Sequence, residues 1–333
     1  MALDVIVNIR LIKPAGKGEM WFPLIYVVNG EGDAESYAEY RSLEDMLNGG
    51  FTTEDEAYKV ANLIFMQDDP TEKIAILKGG ESVTDVLPKY IKNGWRQLIV
   101  LDDYDVNIAT YIESTDKMYF TRFADAAALA AETGKDGTIG EFERTFAVVY
   151  KNDKVAYPEA AIVGATAGLK AGSFTYKNMI LKGVPAMDYT DAEIEAIHKA
   201  GGNTIIEKVG DIVTSEGIVV SGEYADIVDS KDYIIQNITY KTQKVFNNNK
   251  KVPYTNSGIA MLEAATLEAL VDGYNNGMIA DNDDGSPAYV AEFALRSQTT
   301  ENDRFTRDYP YGKFSFVLAG AIHKATINGE ITV

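Results

Sequence analysis

Ile74-Ala75-Ile76-Leu77, a short apolar run, passes through Lys78-Gly79-Gly80 into a segment from Ser82 to Asn93 that reads as a helix. This strand-then-helix unit decides the fold class because it recurs along the chain. Gln97 to Leu101 (QLIVL) is a strand ending in Asp102-Asp103. Lys117 to Arg122 is another strand, followed by a helix from Asp125 to Glu132. Phe146 to Tyr150 is a strand, and Ala160 to Gly168 a helix. Strands alternating with helices over about a hundred residues predict a parallel or mixed sheet with crossover connections. Upstream, Trp21 to Val28 (WFPLIYVV) reads as a buried strand stopped at Asn29-Gly30-Glu31-Gly32, and Thr53-Glu54-Asp55-Glu56 as a capping box opening a helix.

Downstream of Gly172 the texture changes. Ser173 to Val184 (SFTYKNMILKGV) is expected to form a long strand, and Thr190-Asp191-Ala192-Glu193 a second capping box whose helix stops at Gly201-Gly202. Thr204 to Ile206 and Ile218 to Val220 read as short strands. Asp226 to about Phe246 is a long amphipathic helix with Ile227, Ile234, Ile238 and Val245 on one side. Thr255-Asn256-Ser257 caps a further helix, and strands are expected at Ala288 to Leu295 and Lys313 to Leu318.

Both termini read as strands that need a sheet to join. Leu3, Val5, Val7, Ile9 and Leu11 alternate with Asp4, Asn8 and Arg10, the mark of one buried face. Lys13-Pro14-Ala15-Gly16-Lys17-Gly18 separates this strand from the rest. At the other end Ala325-Thr326-Ile327, Asn328-Gly329 and Glu330-Ile331-Thr332-Val333 form a hairpin signal, since type I′ turns need positive φ at both central residues. The partner sheet is either the chain's own or a neighbour's.

The chain has 333 residues with ordinary globular composition, and a net charge of −19 from 50 acidic and 31 basic residues. That balance disfavours a general nucleic-acid binder, whose affinity comes from phosphate neutralisation. No apolar run approaches the roughly 20 residues of a membrane span. Asp4 stands where a signal peptide would carry basic residues, so no export signal is expected. The absence of cysteine excludes disulfides, thiolate metal sites and cysteine nucleophiles. The expectation is a soluble protein made inside the cell. Twenty tyrosines suit either interfaces or the polar edges of sheets.

No constellation for catalysis emerges, and no cofactor or metal is expected. His198 lies in the last turn of a helix, where a cation would complement the dipole, and His323 sits in the C-terminal strand without a Gly-x-Ser-x-Gly elbow anywhere. Gly164 to Gly168 does not fit a dinucleotide fingerprint. Asp102, Asp103 and Asp105 read as a solvated loop. Asp281, Asp283 and Glu292 fit a calcium-loop spacing, but Gly285 and Ser286 occupy positions that need an oxygen ligand and a glycine. One charge feature remains: Lys241, Lys244, Lys250 and Lys251 cluster at and after the end of the long helix, as a solvated helix end or as a basic patch for an acidic partner.

From Gly172 to Val333 a series of landmarks falls in a recognisable order. Gly172-Ser173-Phe174-Thr175-Tyr176-Lys177 leads to Leu181-Lys182-Gly183-Val184, and Ser221-Gly222-Glu223-Tyr224-Ala225-Asp226 precedes the long helix. Lys251-Val252-Pro253-Tyr254-Thr255-Asn256-Ser257-Gly258-Ile259 follows, then Asn276-Gly277-Met278-Ile279-Ala280, Arg304 and Arg307 before Tyr309-Pro310, and Ala319-Gly320-Ala321-Ile322-His323. In this the chain resembles the tail sheath proteins of contractile bacteriophage tails and related contractile injection systems. The resemblance covers about half the chain and implies a structural polymer rather than an enzyme. Copies of the subunit would stack as rings, usually hexameric, around a tail tube protein, between baseplate and tail terminator proteins, in a virion assembled in the host cytoplasm.

The implied organisation is a mixed α/β protein in four parts. Residues 1–18 form an N-terminal β-arm and linker, 19–171 an outer α/β domain, 172–321 a compact sheath core, and 322–333 a C-terminal β-hairpin arm. Leu3, Val5, Val7, Ile9 and Leu11 would pair with one neighbouring subunit, and Ile322, Lys324, Thr326, Ile331 and Val333 with another. Pro14, Gly16 and Gly18 would form the hinge, and Lys241, Lys244, Lys250 and Lys251 would face the tube. Two other readings stay open: an α/β enzyme or ligand-binding protein using residues 74–168, and a viral structural protein that does not contract.

Overall fold

The computed structural model describes residues 21–29, 34–134, 137–151 and 157–327. The N-terminal arm residues Leu3, Val5, Val7, Ile9 and Leu11 and the hinge residues Pro14, Gly16 and Gly18 lie outside the described residues, as do Ile331 and Val333.

The first part of the chain runs β1 (Phe22–Val28), β2 (Ser36–Tyr40), α1 (Leu43–Asn48), α2 (Glu56–Phe65), β3 (Ile74–Gly79), α3 (Val83–Tyr90) and β4 (Trp95–Val100). Then come α4 (Val106–Glu113), β5 (Met118–Phe123), α5 (Ala126–Thr133), β6 (Thr145–Val149), α6 (Glu159–Ala167), α7 (Asp191–Lys199) and β7 (Gly202–Asn203). The strands form one sheet in the order β2-β3-β1-β4-β5-β6-β7. Only the edge strand β2 is antiparallel to its neighbour. The mixed α/β class expected from the alternating units is the class observed. Parallel strands are covered on both faces and so read as unbroken apolar runs; β4 is buried along its whole length. One face packs Ile25, Ile76, Ile99 and Phe146 against α2 and α6. The other packs Leu24, Leu77, Leu98 and Val149 against α3, α4, α5 and α7.

The sheet and its core run across position 171. β7 closes the sheet from residues 202–203, and Tyr176, Leu181, Ile205, Val219 and Val228 complete one of its cores. Gly201 makes the approach to β7 possible: its φ is +80°, and a Cβ there would lie 2.3 Å from the Val220 carbonyl oxygen.

Several local expectations need correction. The stretch 173–184 is not a strand, and its one bridge pairs Ile180 with Val213. Asn178 adopts φ +59°, which breaks the pleat, and Tyr176 is drawn wholly into the core beside Phe120 and Phe146. Ile218 to Val220 makes only a single bridge, Ile218 to Tyr224. At α2 the capping box fails: the N-cap is Asp55, whose carboxylate accepts from the Thr52 backbone N–H (2.6 Å) and hydroxyl (3.0 Å) instead of capping the helix. At Thr190 the box forms as read, with Glu193 reaching back to the Thr190 N–H at 2.8 Å. The acidic loop after β4 is in part a helix start, because Asp105 caps α4 through the Asn107 N–H.

The remainder comprises the hairpin β8 (Ile205–Lys208) and β9 (Asp211–Thr214), the long helices α8 (Ala225–Asn248) and α9 (Asn256–Asn275), β10 (Tyr289–Phe293), α10 (Glu301–Thr306) and β11 (Gly312–Phe316). α8 and α9 share a small third core of Ile234, Ile238, Ala269, Leu270, Met278 and Ile279.

Candidate functional site

Charged side chains fasten α8 to the sheet. Arg96 on β4 is 2.6 Å from both Asp229 and Asp232 of α8. Arg144, just before β6, grips Asp232 with two hydrogen bonds at 2.6 and 2.9 Å. The Tyr176 hydroxyl donates to the other Asp229 oxygen at 2.8 Å. Burial pushes the Asp232 carboxyl up, but the two guanidiniums outweigh it and hold the group below the usual carboxylate range. This buried network ties α8 to the sheet at several points. The sequence reading missed it, although Asp226, Asp229 and Asp232 recur every three residues on one side of the helix.

β10 and β11 form a separate antiparallel ribbon, in register from Tyr289–Phe316 to Phe293–Gly312. Tyr289, Ala291, Phe314 and Phe316 pack against the α8–α9 core, while Val290 and Val317 are more than half exposed on the opposite side. Among the described residues neither strand pairs with a third strand, and only the ribbon's end is bridged, by residues 279–281 at Leu318 and Pro287. An open two-stranded ribbon is marginal in water and accepts further strands readily.

The C-terminal segment leaves the body beside this ribbon. Ala280 N–H to Val317 oxygen and Ala319 N–H to Met278 oxygen, both 2.9 Å, are its last backbone ties. Ile322 and Ile327 are then 91% and 92% exposed, with Lys324 and Thr326 also exposed. No strand forms over 321–327 in the single chain, and the 330–333 half of the expected hairpin lies outside the described residues.

The lysine cluster is split. Lys241 bridges to Glu268 and, at 3.0 Å, to Asp272 on α9. Lys244 lies over the Tyr240 ring, and Lys244, Lys250 and Lys251 are exposed. The histidines also differ from expectation. His198 Nε2 is 2.9 Å from the Ser215 hydroxyl; burial and the nearby Lys177 and Lys208 outweigh Glu216 and hold its pKa below the ordinary value. It stands in the last turn of α7 as read, and the lowered pKa weakens its part as a helix-end cation. His323 belongs to no strand. Among the described residues no cluster of three or more His, Cys, Asp or Glu could hold a metal ion, and no helix is long and apolar enough to cross a membrane.

No family model matches the chain, and no curated protein matches it in sequence. Solved structures do. A chain of the anti-feeding prophage baseplate superposes with a TM-score of 0.72 at 14% identity, over 99% of this chain and 100% of that one. The contracted sheath complex of an extracellular contractile injection system gives 0.72 at 12% identity over 97% of each. A sheath tail protein from Listeria innocua gives 0.61 at 9% identity over 92% of this chain and 96% of that one. The likeness thus extends across residues 20–170, for which the sequence offered no match. From the doubly wound sheet to the β10–β11 ribbon, the chain has the fold of the sheath proteins of contractile injection systems.

Proposed function

We propose that the chain is the structural subunit of a contractile sheath, polymerising as stacked rings around a tail tube, in a phage tail or a related injection device. The observation that carries this reading is a two-stranded ribbon without a third strand among the described residues, on a body whose length follows the sheath fold. Main-chain pairing along the ribbon supplies affinity, and side-chain alternation in the incoming strand supplies register. In this reading Leu3, Val5, Val7, Ile9 and Leu11 form the N-terminal arm, swinging on Pro14, Gly16 and Gly18. Ile322, Lys324, Thr326, Ile331 and Val333 belong to the C-terminal arm. Residues 19–171 face outward and 172–321 face the tube, the two parts sharing the sheet core. A head-to-tail contact that does not close on itself generates a helical array. Contraction needs no nucleotide: the extended lattice is metastable, and many small interface gains release it cooperatively. Tube, baseplate and terminator proteins are the partners.

Negative-stain microscopy with a truncation tests this. The full chain forms tubes, rings or polysheaths, and the chain lacking residues 1–12 stays folded and soluble but forms none. A full chain that remains a monodisperse monomer at high concentration removes the sheath reading. A truncated chain that unfolds makes residues 3–12 an intrachain strand and removes the linkage idea.

A further inference from the structure

After its last backbone tie at Ala319 the chain turns at Gly320, whose φ is +61°, leaves Ile322 in solvent, and then returns to the body at His323. The His323 Nε2 lies 2.9 Å from the Thr175 hydroxyl, and its ring meets Tyr224 edge-on with centroids 4.5 Å apart. Thr175 in turn sits 3.5 Å from the Asp226 carboxylate, at the start of α8. Thr175 and Asp226 line a groove of about 250 Å³ whose other walls include Phe174, Ile227, Met278 and Leu318, and the chain passes along it at Gly320 and Ala321 before reaching His323. Beyond His323 the residues Lys324 to Ile327 are all solvent-exposed.

We propose that His323, clamped by Thr175 and Tyr224, is a positioning residue that sets the direction in which the C-terminal arm leaves the subunit and so presents Ile322 and Ile327 to a second copy of this chain. The proposal rests on the sheath reading for its partner, but the clamp itself is a property of the single subunit. A swinging arm loses conformational freedom when it docks; an arm aimed beforehand loses less. Two β-branched apolar residues exposed almost completely on either side of one fixed point form a preset pair of anchors. The anchor lies on the segment joining α8 to the sheet core, so arm direction follows the orientation of the rigid body.

The chain contains no cysteine, so spin labels can be placed cleanly. Labels at Thr326→Cys and Asn248→Cys in dilute full-length monomer report the arm direction by double electron–electron resonance. The parent gives a narrow distance distribution. His323→Ala broadens it, His323→Gln restores it by keeping a partner for Thr175, and the melting temperature is the same in all three. In sedimentation assays without labels, His323→Ala raises the critical concentration for polymer about tenfold, as expected when about one further residue must be ordered on docking. An unchanged distance distribution in His323→Ala overturns the clamp, whether or not the parent polymerises. A broadened distribution with an unchanged critical concentration overturns its part in assembly. A parent that never polymerises removes the sheath reading instead, and the distance measurement still decides the clamp.

Discussion

Glu159 sits in an environment that a glutamate seldom occupies. It sits in the first turn of α6, fully buried, and neither carboxylate oxygen has a hydrogen-bond partner. The Arg122 Nη1 is 3.6 Å away, with its guanidinium over the Tyr157 ring and its other edge towards Asp103. Burial raises the carboxyl pKa to about 7, with Arg122 opposing only in part. The folded protein therefore holds a proton between its ordinary carboxyl pKa and about 7 that the unfolded chain has released. The stabilisation is complete below that window and is lost as pH rises through about 7. Glu159→Gln should flatten this dependence and, at pH 8, be more stable than the parent by about 2 kcal/mol. Denaturant titrations of both proteins from pH 5 to 8 check it; parallel curves would sink the assignment. None of this was legible in the sequence, where Glu159 opens an alanine-rich helix as a solvent-facing first-turn acid would.

At the scale of the element, α8 shows how much a helical pattern conceals. Its apolar stripe was readable, and so was its length to within two residues at either end. Its acidic positions drew no reading from the sequence, and Asp226, Asp229 and Asp232 are buried. The partners of Asp229 and Asp232, namely Arg96, Arg144 and Tyr176, lie between 53 and 133 residues away in sequence, and no local period reports such distant partners. Removing one member leaves a buried charge uncompensated, so Asp229→Ala should lose about 3–5 kcal/mol in urea unfolding. Asp229→Asn, which keeps an acceptor for Tyr176, should lose less. A loss under about 1 kcal/mol for the alanine variant would mean that the network is not what binds α8 to the sheet. The stretch 173–184 is the converse case: its β-branched and aromatic residues suggested a strand, but burial of Tyr176 and the left-handed Asn178 shape an irregular clasp.

At the scale of the whole molecule, a net charge of −19 means that copies repel one another at long range, and exposed cations become the natural contacts for an acidic partner. Lys241 is already paired within the fold, which leaves Lys244, Lys250 and Lys251 as the exposed part of the cluster. If the chain is a sheath subunit as proposed and this patch meets the tube, changing these three to Glu should abolish co-sedimentation with tube protein while the melting temperature stays within about 2 °C, as surface substitutions do. Unchanged co-sedimentation would remove the patch from the tube contact.

The sequence by itself determined the α/β class, most of the parallel strands and their helices, and the caps at Thr190 and Thr255. These follow from period, capping and turn chemistry, which act within a few residues. Only the tertiary structure decided that β7 crosses from the second half of the chain into the sheet, that Arg96 meets Asp229, and that His323 returns to Thr175. Those are contacts between distant segments. They are selected by burial and charge once the chain is compact, and a local pattern carries no record of them.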